Sequence, residues 1–534
     1  MKTTIKNLIL SAVLVVGGAS CVDLDTAPYD RETDLTYWEE DPEAAVKALN
    51  TCYTYLGNMD EQLYCEAMTD NAYTKQPNDA TQNIGNGSYS TADPYVKKVW
   101  DGRYTGIRMC NELLENIDRV PDLDTDLKKR YIGEAKVLRA YNYYELYTKF
   151  GDVPYTTKVL SIKESMSIAR TAKATVIANV LADLDEVING NYLPTSYDAD
   201  NKGRITRWAA MAIKAKIYLF EGNWTQVKNI TSTIMTEGGF KLFGSYAGLF
   251  EIANEYNSEV ILDAQYRPTS REHQMMYVFL PPTLGGYSQL SPLQELVDSY
   301  IMLDGKTIKE TGTSFDESHP YANRDPRLKA TVMYTGNSYT LADGTEVVIN
   351  CEKGEGKDGY GVGSDCSATG YYIKKYWDNA YRATLYSGLN PILIRYADIL
   401  LMNAEALAEL GELDKTAWDA TIKPIRDRAG FTLASAVEFP EGASKDKLIE
   451  IVRNERRSEL ALEGHRHKDI IRWRIADDVL NGWCHGLKTN EVVGTDNGYV
   501  RVENRAFNAN KHYLWPIPQA ERDLNGNLVQ NPNW

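Results

Sequence analysis

Apolar residues recur every three to four positions through ten stretches of this chain, the spacing that lays one apolar stripe along an α-helix. The stretches are Pro42–Leu56, Tyr95–Asp118, Thr125–Tyr147, Ala172–Ile188, Thr206–Glu221, Trp224–Met235, Ile394–Leu410, Leu413–Ala429, Lys445–Leu462 and His465–Leu480. Between about 240 and 390 the pattern fails. That region is rich in Gly, Pro, Tyr and Asn, with short β-like pieces such as Glu346–Asn350. The pattern predicts a mainly α chain, with helical blocks over about 42–236 and 394–480 flanking a loop-rich, partly β insert.

Two of the stretches are alike. One spaces Ala209, Ala212 and Ala215 along a helix and ends near Gly222 and Trp224. The other does the same with Ala397, Ala404 and Ala406 and ends at Gly411, with Trp418 beyond. Small side chains let two helices approach closely, and Gly ends a helix at little cost. This is the logic of tetratricopeptide (TPR) helix pairs, so a few irregular pairs forming an α-superhelical scaffold are expected. Trp100, Trp208 and Trp224 sit at helical spacing and read as core.

The N-terminus bears on where the chain works. Lys2 and Lys6 precede an apolar run from Leu8 to Val16, followed by Gly17, Gly18, Ala19, Ser20 and Cys21. This is an export signal, too short to span a bilayer. A thiol directly after small residues resembles a bacterial lipobox, where the signal is cut before the cysteine and the cysteine is lipidated. Residues 1–20 are read as the signal peptide, 21–40 as an extended leader lipidated at Cys21, and 41–534 as one domain. Export favours oxidation. Cys351 and Cys366 bracket a Gly-rich loop and are the expected bridge, while Cys52 and Cys110 read as buried thiols.

The formal net charge is −16. An acidic surface repels phosphate, which argues against nucleic acid as a partner. Tyrosine is unusually frequent, 36 against 10 Phe. A phenol ring offers a flat apolar face and a hydroxyl at low entropic cost, so this excess points to a binding surface as well as a core.

Several segments then fall in a familiar order. They are Cys21-Val22-Asp23-Leu24, Glu134-Ala135-Lys136-Val137-Leu138-Arg139-Ala140-Tyr141, Phe150-Gly151-Asp152-Val153-Pro154 and Arg324-Asp325-Pro326-Arg327-Leu328. Further along come Ile394-Arg395-Tyr396-Ala397-Asp398, Ile425-Arg426-Asp427-Arg428-Ala429-Gly430, Glu455-Arg456-Arg457-Ser458-Glu459-Leu460, Trp515-Pro516-Ile517-Pro518 and Asn531-Pro532-Asn533-Trp534. In this order, over essentially the whole chain, they make it resemble the SusD/RagB family of Bacteroidetes surface lipoproteins. The resemblance implies a mostly helical, TPR-containing fold on the outer membrane. It also implies a role as a lid on a SusC-like TonB-dependent transporter, to which captured ligand passes.

The most enzyme-like feature is the stripe Glu455, Glu459 and Glu463. Spacing of four puts the carboxylates on one helix face, roughly 6 Å apart, and paired carboxylates can cleave glycosidic bonds. But Arg453, Arg456, Arg457 and Arg466 crowd them, with Asp469 and Arg472 on the next helix. Cations hold carboxylates ionised, whereas a catalytic acid needs a raised pKa. The stripe therefore reads as a salt-bridge cluster between helices. His465 and His467 do not share a helix face, and no third ligand accompanies them, so no metal site is expected there. Oxygen-rich patterns that suit Ca²⁺ occur at Asp198–Gly203 and in the Gly354–Gly370 loop with Asp358 and Asp365. The first reads as a turn entering a helix and the second as a flexible loop, so no cofactor is assigned.

A sugar presents CH-rich faces and hydroxyl edges, so its site needs ring plates with amide or carboxylate groups beside them. Two zones qualify. One carries Asp70, Asn71, Tyr73, Tyr89 and Tyr95, with Asn78 and Asp79; the other carries Tyr277, Phe279 and Tyr287. The reading is a non-enzymatic surface lipoprotein that captures oligo- or polysaccharide. The alternatives are a peptide-binding member of the same family, a surface glycosidase using the Glu stripe, and an assembly scaffold.

Overall fold

The computed structural model describes residues 33–75 and 80–534. Cys21, the signal peptide and most of the leader, together with Asn78 and Asp79, lie outside the described residues. Thr36–Glu40, read as extended leader, instead forms a π-helical turn that buries Trp38.

The first block forms where the apolar period predicts it. Helix α1 (Ala44–Tyr53) buries Ala44, Ala45, Leu49 and Cys52. Helix α2 (Met59–Tyr64) starts at Asn58, whose side chain accepts the Glu61 N–H. Strand β1 (Ala72–Thr74) and helix α3 (Ala80–Asn86) follow. Then come the two longest helices, α4 (Pro94–Asn116) and α5 (Thr125–Phe150), packed on each other. Asp93 and Asp124 cap them, each accepting two N–H groups of the first turn, and Pro94 takes the position where a missing N–H costs nothing.

Helix α5 is buried on nearly every side and carries Glu134, Arg139, Glu145 and Lys149 inside with its apolar residues. Such groups are tolerated only when paired. Arg139 Nη2 donates to Asp183 at 2.6 Å, and Lys149 Nζ donates to Glu145 at 2.6 Å.

Helices α6 (Lys173–Asn189), α7 (Arg207–Phe220) and α8 (Trp224–Glu237) pack in succession, α7 and α8 as a TPR-like pair. The chain then crosses the loop-rich region, whose main strands are β2 (Val260–Asp263), β3 (Leu290–Pro292) and β4 (Ile392–Arg395). The expected piece at 346 is a short strand, Glu346–Val348, paired with Ser338–Thr340. Beyond it, α9 (Tyr396–Leu410) packs on α8, and α10 (Lys445–Glu459) packs on α9, so the two helical blocks meet. Trp100 and Trp208 are core, as read, and Trp224 is half-buried against it. The fold is mainly α, with small sheets. Among the described residues no helix is long and apolar enough to cross a membrane.

Four helix expectations need correction, each for a local reason. Ile394 and Arg395 belong to β4, which pairs antiparallel with β2, so α9 begins only at Tyr396. The stretch Leu413–Ala429 breaks into Lys415–Ala420 and Ile422–Ala429 at Thr421. Pro424 has no N–H for the Ala420 carbonyl and its ring crowds it. Helix α10 ends at Glu459, and Leu462 is left-handed at φ 63°. The last stretch yields only α11 (Arg466–Arg472) and the turn Ala476–Val479, separated by Arg474 at φ 60°. A C-terminal sheet of β5 (Asn481–Lys488), β6 (Thr495–Asp496) and β7 (Tyr499–Ala506), in the order β6-β7-β5, has no counterpart in the sequence reading.

The expected Cys351–Cys366 bridge is absent. Both thiols are free and buried, and Cys366 Sγ is directed at the Lys357 carbonyl at 3.3 Å. Cys52 and Cys110 are buried free thiols, as read.

Candidate functional site

The two ring-bearing zones lie more than 180 positions apart, and a three-residue ribbon joins them. Strands β1 and β3 pair antiparallel with Ala72 opposite Pro292, Tyr73 opposite Ser291 and Thr74 opposite Leu290. Two flanking bonds extend the join: Lys75 N–H to the Gln289 carbonyl and Leu293 N–H to the Asn71 carbonyl, both 2.9 Å.

On this frame Tyr277 and Tyr287 stack at 6.0 Å between centroids with 28° between planes. Tyr287 N–H donates to the Tyr277 carbonyl at 3.0 Å, which fixes the two residues side by side. Tyr386 meets Tyr277 edge-on at 5.9 Å and is 40% exposed. The three phenols form a partly exposed platform. The loops that build and flank it hold four non-glycine residues at positive φ: Tyr256, Thr269, Ser288 and Leu385. Left-handed backbone at a residue with a Cβ stores strain, and such strain gathers where the surrounding structure fixes a functional surface.

A cleft of about 420 Å³ opens alongside, lined by Tyr55, Asp60, Tyr64, Tyr95, Lys98 and Arg103 among others. Tyr64 connects the two features, donating its hydroxyl to Gln289 Oε1 at 3.2 Å. Tyr73 accepts from Gln82 Nε2 at 3.2 Å, next to Thr81 on the cleft wall. Burial raises the Asp60 pKa, and Lys98 pulls it back only in part. Aromatic walls with a few amides and charges suit a ligand with both apolar faces and hydroxyls.

Of the predicted ligand residues, Tyr277 and Tyr287 form the platform and Tyr95 lines the cleft, while Tyr73 bonds Gln82 and feels the charges of Glu503 and Arg505 on the C-terminal sheet. Asp70, Asn71 and Tyr89 belong to neither platform nor cleft. Asp70 is 5% exposed and accepts from Arg466 Nε at 2.8 Å and Nη2 at 2.9 Å, with Arg457 at 3.0 Å. Burial works to raise its pKa; the Arg457 and Arg466 guanidiniums override that and hold it well below the usual carboxylate range. Asn71 donates to Glu66 at 2.8 Å and accepts from Arg457 at 3.0 Å. These two are structural because a buried carboxylate or amide must spend its bonds internally. Tyr89 is 4% exposed between His512 and Trp534, with centroids at 5.0 and 4.8 Å. Tyr64, Gln82, Gln289 and Tyr386 were not foreseen; only the tyrosine density of the loop region hinted at Tyr386.

The Glu stripe is mortar. Glu455 meets Arg327 and Arg426, both at 2.7 Å. Glu459 meets Arg395 at 2.6 Å, Arg327 at 2.9 Å and also Arg428. Glu463 meets Lys375 at 2.6 Å and Arg395 at 2.7 Å. Burial raises all three pKa values, and the surrounding cations reverse this and hold them low. The partners differ from those expected. Arg456 instead bonds Asp398 and Asp469, Arg472 bonds Glu405 and Asp469, and Arg457 and Arg466 serve Asp70. The helix also ends before Glu463, so only Glu455 and Glu459 share a helical face.

His467 is buried and His465 half-buried, and burial lowers each to about 3. Asp198 caps the turn Ala199–Asn201, and Asp358 accepts from the Thr283 N–H and hydroxyl, so one carboxylate of each candidate Ca²⁺ segment is held by the protein. Among the described residues, no three His, Cys, Asp or Glu side chains gather as a metal site.

Residues 249–534 match the family model described as the SusD family, and residues 37–219 match a second, described as starch-binding, associating with the outer membrane. The chain belongs to the SusD family. A SusD-like protein of Formosa agariphila, P25, is 27% identical over 99% of this chain and 98% of its own. A SusD-like carbohydrate-binding protein from Bacteroides fragilis superposes with a TM-score of 0.81 at 28% identity, over 92% of this chain and all of that one. A laminarin-binding SusD-like protein shares the fold, with a TM-score of 0.68 at 24% identity over 92% of this chain and 99% of its own. The β1–β3 ribbon therefore ties the starch-binding match to the SusD match, and the ring platform stands at the seam.

Proposed function

We propose that this chain is a SusD-like surface lipoprotein that binds a glycan on the Tyr277–Tyr287–Tyr386 platform and its adjoining cleft, without turning it over. The platform carries the reading: three partly exposed phenols on strained, bonded loops beside a polar cleft. The family membership and the carbohydrate-binding neighbour support it. Burial and ion pairing of Glu455, Glu459 and Glu463 support binding over hydrolysis, since no poised acid remains in the stripe. Anchoring through Cys21, an outward-facing position and delivery to a TonB-dependent transporter complete the proposal.

The affinity is expected to be modest, ~µM to mM, because wet, shallow sites recover little free energy. Calorimetry against a neutral and acidic glycan panel tests it. Tyr277→Ala and Tyr386→Ala are each expected to lose about tenfold in affinity, the effect of ~1.4 kcal/mol of ring contact. Full affinity in both variants removes the platform from the site. Product release by purified protein overturns the non-enzymatic reading.

A further inference from the structure

Beyond Tyr386 the exposed face continues through two more rings, each accompanied by a cation. We infer that the glycan is acidic, a polysaccharide whose sugars carry carboxylate or sulfate groups; this rests on the platform reading above. The turn that leads away from the platform runs from 267 to 271. Two backbone bonds close it, Arg267 to Arg271 and Arg271 to Arg267, both 2.9 Å. It abuts the residues after Tyr386: His273 N–H donates to the Ser387 carbonyl at 2.9 Å, and Gly388 packs so closely on Pro268 that a Cβ there would lie 2.5 Å from the Pro268 nitrogen.

Tyr266 leads into this turn and lies edge-on to His273 at 5.3 Å. The Arg271 guanidinium sits 4.8 Å over its ring. Tyr256 lies further out. It is 41% exposed, held at φ 57°, and its hydroxyl donates to Gln265 Oε1 at 2.5 Å. The Lys202 ammonium stands 5.6 Å over that ring, and the charge of Arg267 also reaches Tyr256. Rings and cations thus alternate along one strip.

Among the described residues, Lys202, Arg267 and Arg271 form no salt bridge, and the first two are exposed. Two of the neighbouring acids, Asp263 and Glu255, are engaged. Asp263 is buried and accepts from Gln265 at 2.6 Å and Asn390 at 3.1 Å. Glu255 accepts the Asn390 N–H at 2.7 Å. Burial pushes both carboxyls up, Asp263 to about 7. Glu272 is exposed on the same turn, and its charge acts on Tyr381. In a chain of net charge −16, three cations outside any ion pair, against the one exposed carboxylate of Glu272, run against the average surface. Ring faces accept the CH side of a sugar, and guanidinium and ammonium groups bind its anionic substituents.

Matched pairs of polymers test this: polygalacturonate against its methyl ester, and a sulfated galactan against its desulfated form. Titrated into the full chain at low salt, the acidic member of at least one pair is expected to bind about tenfold tighter, with the advantage collapsing at high salt. The triple variant Lys202→Ala, Arg267→Ala, Arg271→Ala should erase the acidic preference while leaving weak neutral binding in place. Tyr386→Ala should weaken both members equally. An acidic preference untouched by the triple variant, or neutral members binding as well as acidic ones, overturns the inference and leaves the platform standing. Binding untouched by Tyr386→Ala overturns the platform, and no binding to any polymer overturns both.

Discussion

Arg395→Met is expected to destabilise the fold by about 3–5 kcal/mol, although the methionine fits the volume of the lost side chain. Arg395 is 1% exposed and bonds Glu259 at 2.7 Å, Glu459 at 2.6 Å and Glu463 at 2.7 Å. It also donates to the Glu459 carbonyl at 2.8 Å. Removing the cation leaves three buried carboxylates short of charge, and the cost is mainly theirs. The pH dependence has a definite sign. The folded-state pKa values of Glu459 and Glu463 are depressed, so their contribution is present above the unfolded value of about 4.3 and is lost as pH falls toward the folded values. The gap between wild type and variant should therefore be widest above pH ~5 and narrow in acid. Urea unfolding across that range measures it. A gap under ~1 kcal/mol at neutral pH, or one that widens in acid, contradicts the network's role.

Trp515→Ala should cost a similar ~3–5 kcal/mol, by cavity formation rather than charge. Trp515 is 2% exposed and packs edge-on against Phe150 at 5.8 Å, with Tyr95 and His467 at 6.1 Å. Its backbone N–H, which the variant keeps, donates to the Lys149 carbonyl at 2.7 Å, and Asn531 bonds both the Phe150 and Trp515 carbonyls at 2.9 and 2.6 Å. The C-terminal segment thereby closes over the end of α5. Because Tyr95 also lines the cleft, the variant should weaken glycan binding as well as thermal stability. Retention of the wild-type melting temperature shows the indole to be dispensable.

The helices were legible where local signals agree. In α4, Asp93 as cap, Pro94 at the first position and a periodic apolar face all point one way. The helix ends that depart from the apolar period have local causes, as at Thr421 and Arg474. The site was legible only in part. Tyr277 and Tyr287 stand ten residues apart in one short segment, so their zone could be read. Asp70 and Asn71 looked like ligand groups because their partners lie out of sequence range. Arg466 is 396 positions from Asp70, and Arg457 is 386 from Asn71. No local pattern tells a carboxylate awaiting a sugar from one already held by a distant guanidinium. Tyr386 was missed for the same reason: an irregular loop carries no period.

The three-residue pairing of β1 with β3 has an evolutionary corollary. Each of its strands comes from a different matched half, Ala72–Thr74 from the N-terminal one and Leu290–Pro292 from the C-terminal one. Selection can thus remodel a loop on one side of the binding face so long as it keeps this backbone register and the side-chain bonds that also cross the halves, such as Tyr64 to Gln289 and Arg466 to Asp70. A lineage facing a new polysaccharide needs to rewrite a loop, not a scaffold.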